Sequence, residues 1–150
     1  MNSDFKDLLR LFAAHEVTYL IVGGYAVAHH AQPRFTKDLD LWIEPSPANA
    51  GKVAAALGEF GIPLIEVVES DFAREGLQFA VGTPPSQLDF LTSIPGLVFS
   101  ECWPDRVTAK IHGIPVFYIS LSALIVAKQT ASRAQDLADL EELRRIDSKS

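Results

Sequence analysis

An apolar run, Tyr19-Leu20-Ile21-Val22, delivers a Gly-Gly pair, and an alternating run, Asp38-Leu39-Asp40-Leu41, follows a short interval later. This stretch constrains the fold more than any other. Alternate residues of a strand point to the same face. Asp38 and Asp40 therefore share one face, with Thr36 and Arg34 beside them if the extended backbone begins that early. Leu39, Leu41 and Ile43 face the opposite way, into a core. Neighbouring like charges repel unless something cationic sits between them, and hard oxygen donors suit Mg²⁺ or Mn²⁺. Gly23 and Gly24 stand at a strand-to-helix junction, where the backbone can turn tightly and a ligand can come close to main-chain N–H groups. A helix starting near Tyr25 adds its own free N–H groups and positive dipole end, which favour an anion.

The glycine turn followed by Asp-hydrophobic-Asp resembles the nucleotidyltransferase superfamily of the DNA polymerase beta type, and within it the small bacterial nucleotidyltransferases and abortive-infection-type toxins. The resemblance implies a mixed sheet with flanking helices, Mg²⁺ (or Mn²⁺) on Asp38, Asp40 and a third carboxylate, and a nucleoside triphosphate held near Gly23 and Gly24. An Arg, Ser or Thr before the carboxylates commonly lies near the triphosphate in that superfamily. Arg34 and Thr36 occupy those positions, and for Arg34 a salt bridge to Asp38 or Asp40 is an equal alternative.

The third acid is expected in Gln87-Leu88-Asp89-Phe90-Leu91, which alternates polar and apolar. Asp89 shares a face with Gln87 while Leu88 and Phe90 enter the core, so it can ligate metal or accept a proton from an attacking hydroxyl. Asp71 and Glu101 lack that strand context. Further along, Lys128, Arg133, Asp136 and Asp139 lie in AKQTASRAQDLADLEEL. This text resembles the small-toxin subgroup, in which a Lys, an Arg and an Asp-x-x-Asp recur in two closing helices. The resemblance puts Lys128 on the triphosphate; Arg133, Asp136 and Asp139 either knit the helices together or flank the site. Gln135 departs from the basic residue often found there.

The remaining chain supplies scaffold. Apolar residues at helical spacing from Phe5 to Phe12 predict a first helix capped by Ser3. A strand over 17–22, apolar on both faces, belongs in the middle of a sheet. Tyr25–Ala31 is short, and His29 and His30 diverge on a helix, so packing or capping suits them better than shared ligation. Ser46-Pro47 starts a helix that Gly61 ends. The stretch 61–70 reads as part loop and part strand, 71–75 as a turn or short helix, and Leu77–Val81 as a strand stopped by Gly82-Thr83-Pro84-Pro85. Arg106–Ile111 and Ile114–Ile119 form a hairpin around His112-Gly113. Ser120 caps a helix bearing Lys128, and another starts near Ser132 or Arg133. Trp42 and Trp103 belong in the core or its rim rather than on a base.

With 150 residues, 48% of them hydrophobic and 21% charged, a single domain over 1–150 with a sizeable core is expected. A lone cysteine, Cys102, excludes an internal disulfide and reads as an ordinary thiol. No run approaches the ~18 apolar residues of a membrane span, and the first residues lack a secretory pattern, so a cytoplasmic address is expected. A net charge of −6 argues against general DNA or RNA binding.

The expected activity is α/β-fold, metal-dependent transfer of a nucleotide from a triphosphate to a hydroxyl on tRNA, protein or a small molecule, in a possible toxin–antitoxin setting with a cognate antitoxin. Aminoglycoside- or lincosamide-modifying enzymes share the front motif and form a second enzymatic expectation. A non-catalytic domain that binds a partner protein is the third.

Overall fold

The computed structural model describes residues 1–33, 36–83 and 86–149. The chain runs α1 (Ser3–Ala14), β1 (Tyr19–Val22), α2 (Gly23–His30), β2 (Asp38–Ile43), α3 (Pro47–Phe60), β3 (Gln78–Val81), β4 (Gln87–Leu91), α4 (Phe99–Cys102), β5 (Val107–Ile111), β6 (Ile114–Tyr118), α5 (Leu121–Ala131) and α6 (Ala134–Asp147), with short 3₁₀ turns at Glu69–Ala73 and Trp103–Asp105. This is an α/β fold. Its six-stranded mixed sheet has the order β3-β4-β2-β1-β6-β5.

The sheet order follows from the chain's own patterning. All four residues of β1 are buried, as its two-sided apolar character demands, and the strand is central. It pairs antiparallel with β2 and parallel with β6. Parallel pairing of β2 with β4 needs a long crossover, and α3 occupies it. The outer strands are hairpin partners, β3 with β4 and β5 with β6. His112 and Gly113 close the second hairpin with φ of 48° and 80°, the positive pair that matches the twist of the flanking strands.

One sheet face carries Leu39, Leu41, Leu88 and Phe90 into the core. There α1 packs through Phe12, whose ring lies 5.3 Å from Tyr19 and 6.3 Å from Phe90, and α3 packs beside α1. The opposite face carries Asp38, Asp40 and Trp42 on β2. Trp42 is sealed by the Phe99 ring of α4, 5.0 Å away, and is a core residue. That lid ends before the two aspartates, which explains why polar positions on this face give way to an apolar one along a single strand.

Several boundaries differ from the pattern-based expectations. Asn2, not Ser3, caps α1, because its Oδ1 accepts the Phe5 N–H at 2.9 Å. The central strand starts at Tyr19 rather than Val17, since Glu16 takes a left-handed turn with φ 55°. Residues 61–68 contain no strand, and Ile65 is 79% exposed. The turn or short helix expected over 71–75 is a 3₁₀ helix over Glu69–Ala73, two residues earlier. The Ser46 cap, Pro47 start and Gly61 stop of α3 are present, with Gly61 at φ 100°. Among the described residues no helix is long and apolar enough to cross a membrane.

Candidate active site

Asp40 and Asp89 are register partners on adjacent parallel strands. Strand spacing alone therefore sets their backbones about 4.8 Å apart, and both side chains leave the same face. The carboxyl groups interact, and the Asp40 pKa is pushed up from the ordinary 3.8 to about 7. Burial is the main cause, followed by the charge of Asp89, the hydrogen bond to it and the charge of Asp38. Lys128 opposes them from a distance, as the weakest influence.

Asp38 sits one row along, paired with Gln87. Its pKa is also raised, by burial and then by Asp89. Its Oδ1 is buried and has no hydrogen-bond partner among the described residues. Gln87 Nε2 donates to Asp89 Oδ1 at 2.8 Å and so steadies that carboxylate from the neighbouring row.

Gly23 explains how Asp40 fits. The glycine begins α2 with φ +66°, and a Cβ there would lie 2.0 Å from Asp40 Oδ2. The space where a side chain at this position would lie is taken up by the protein's own carboxylate. Helix α2 starts at Gly23, two positions before the expected start at Tyr25, and Gly24 is its second residue.

A cleft of about 500 Å³ opens over the pair, lined by Gly23, Asp40, Asp89, Gln78, Ala80 and Arg133 among others. Ala80 is the register partner of Asp89 on edge strand β3, and its small side chain leaves the carboxylates open on that flank. Arg133 is the one basic residue among the described residues lining the cleft. The resemblance left its role open between knitting the helices together and flanking the site; its place just ahead of α6 was the available signal.

Lys128 is placed differently from expectation. Its side chain is 11% exposed, and its ammonium contacts Asp136 and Asp139, each at 3.1 Å. The cation expected on the triphosphate is spent within the protein, because α5 and α6 bury two carboxylates that need it. Asp136 also accepts from Arg133 Nε at 2.7 Å and from the Arg133 N–H at 3.2 Å. Gln135 donates to Asp139 at 2.9 Å. Thr36 is half-buried just ahead of β2 and is not among the cleft residues. Arg34 lies outside the described residues.

His29 stacks on Tyr118, with ring centroids 4.0 Å apart, and His30 Nε2 bonds the Ile119 carbonyl at 2.7 Å. Both are packing residues. Cys102 is buried, and burial with the charges of Glu101 and Asp105 pushes its thiol pKa up, the reverse of a nucleophile's requirement.

No family model matches the chain, and no curated protein does. Among the described residues no group of three or more His, Cys, Asp or Glu is arranged to hold a metal ion. The donor chemistry nevertheless fits a hard cation. Two carboxylates are register partners on adjacent strands, and Asp38 beside them has a buried oxygen without a hydrogen-bond partner among the described residues.

Proposed function

We propose that the protein is a metal-dependent nucleotidyltransferase with a nucleotidyltransferase-like fold, moving a nucleoside monophosphate from a triphosphate to a hydroxyl acceptor. The observation that carries this reading is the meeting of Asp40 and Asp89 at the floor of an open cleft beside the start of α2. A fold spends stability to hold two acids together, and sites where carboxylates are forced into contact are where acid–base and metal chemistry is done.

Asp38, Asp40 and Asp89 are the residues that would hold Mg²⁺ or Mn²⁺. Bound there, the cation supplies charge stabilisation for the phosphate oxygens of the triphosphate. Asp89 accepts the acceptor's hydroxyl proton, as a carboxylate within reach of the same cleft. The acceptor oxygen forms its bond to the α-phosphorus as the bond to pyrophosphate breaks, and pyrophosphate leaves. Asp40, the register partner of Asp89, supplies the second carboxylate of that pair. Gly23 keeps Asp40 in place by having no side chain of its own.

Calorimetry with ATP, CTP, GTP and UTP, each with and without Mg²⁺, tests the reading. At least one nucleotide binds in a metal-dependent way if it is correct. Silence with all four leaves the partner-binding role, alone or beside a cognate antitoxin. Asp40→Asn is expected to lower transfer at least about 10³-fold, a loss of some 4 kcal/mol in barrier reduction, while the circular dichroism spectrum is unchanged. Transfer within tenfold of the parent protein in that variant would end the catalytic assignment.

A further inference from the structure

The two closing helices have a second feature: an exposed arginine tied to a buried charge network. Asp136 and Asp139 are 1% and 2% exposed, and Lys128 lies between them. Asp136 reaches outward from this network to Arg133, whose side chain is 80% exposed yet lines the cleft above Asp40 and Asp89. The guanidinium bonds to Asp136 through Nε at 2.7 Å, with a long Nη2 contact at 3.5 Å. Nη1 has no hydrogen bond among those made by the described residues, so the outer side of the planar fork is left for a ligand. Long arginine side chains lose much rotamer freedom when fixed. Here a buried carboxylate, fixed in turn by Lys128 and by the Arg133 main chain, has already fixed it.

We propose that Arg133 takes the anionic end of a polyphosphate ligand in this cleft and that Asp136 is the positioning residue that aims it. The proposal rests on the triphosphate reading only for the identity of the ligand. Acidic residues line the cleft, so an anion entering it needs a cation beside them, and Arg133 is the basic residue among the described residues lining that space. The guanidinium fork suits phosphate oxygens, and prior anchoring through Nε reduces the ordering cost of binding. Lys128 and Asp139 act one step further back, holding Asp136.

The probe is inorganic tripolyphosphate, titrated calorimetrically into the full chain without metal and with Mg²⁺. Arg133→Ala is expected to weaken binding at least about tenfold, as loss of a charge-assisted phosphate contact does. Asp136→Asn is expected to weaken it several-fold in the parent protein and to add nothing in the Arg133→Ala background. That non-additivity marks action through Arg133; a merely structural role would add equally in both backgrounds. If Asp136→Asn does not fold, Arg133→Lys replaces it. That variant keeps the charge but lacks the fork, and should recover less than half of the lost binding free energy. Unchanged tripolyphosphate affinity in Arg133→Ala, full rescue by Lys, or no binding by the parent protein would overturn the proposal. Tripolyphosphate bound through Arg133 with no transfer from any nucleotide would instead defeat the enzyme reading and leave this one standing. Transfer with an unaltered KM in Arg133→Ala would do the reverse.

Discussion

The molecule holds two groups of carboxylates that are handled in opposite ways. In the closing helices, Asp136 and Asp139 are almost wholly buried, yet each carries a cationic or amide partner at hydrogen-bond distance. On the sheet, Asp40 and Asp89 face each other as register partners, with no cation beside them among the described residues that matches Lys128 in the helices. Burial and the charge of Asp89 push the Asp40 pKa up. The first arrangement is complete without a ligand. The second is not, and its unmet charge is the physical reason for assigning chemistry to it. Burial alone therefore does not identify a site; what matters is whether the fold compensates what it buries.

The titration directions express the same contrast. Burial alone raises the Asp136 pKa, but the bonds from Arg133 and Lys128 outweigh it and hold the carboxyl below its ordinary value. Its contribution to stability is present above the unfolded pKa and is lost as pH falls through the lower folded one. Asp40 is shifted the other way, to about 7. The folded state binds its proton more tightly, so that contribution is complete below the unfolded value of 3.8 and is lost as pH rises toward 7.

These opposite signs can be pulled apart by substitution. Lys128→Met should have the largest effect on stability. It takes the ammonium away from two buried carboxylates, and should cost about 3–5 kcal/mol in urea unfolding with an unchanged m-value. A loss under 1 kcal/mol would mean that the helix network is not compensated as the distances indicate. Gly23→Ala comes next, at about 1–3 kcal/mol, because alanine is strained at φ +66° and its Cβ displaces the Asp40 carboxylate. The Asp40 titration should fall in the same variant, which a purely local backbone effect would not produce.

The smallest effect has the opposite sign. Asp89→Asn should raise stability by about 1 kcal/mol at pH 8 by removing the charge that faces Asp40. The pH dependence sharpens the result. Between pH 5 and 8 the parent protein should lose stability on account of Asp40, and Asp40→Asn should flatten that part of the profile. Mg²⁺ should raise the melting temperature more at pH 8 than at pH 5.5, since cation and proton compete for the same oxygens. Equal shifts at the two pH values would place any bound cation elsewhere.

Much of the fold could be read from local patterning. The two-sided apolar run Tyr19–Val22 is the central strand, and the alternation in Asp38–Ile43 and Gln87–Leu91 separates core from open face. Ser46-Pro47 with Gly61 bounds α3, and His112-Gly113 turns a hairpin. These features were legible because each depends on period, cap or turn chemistry within a few residues. The cap at Asn2 and the late start of β1 were missed because several polar residues offered equivalent local solutions, and the surrounding backbone chose among them.

What the sequence determined by itself was parity: Asp38 with Asp40, and Asp89 with Gln87, each on one face of a strand. Tertiary structure decided which strands became neighbours, and so whether acids nearly fifty residues apart would meet; in register, they do. It also decided the fate of the cations. Lys128 and Arg133 carry the same charge and lie five residues apart, yet one is enclosed by Asp136 and Asp139 while the other extends over the cleft. No local rule separates them, because the difference lies in which buried carboxylates each cation meets once α5 and α6 pack together.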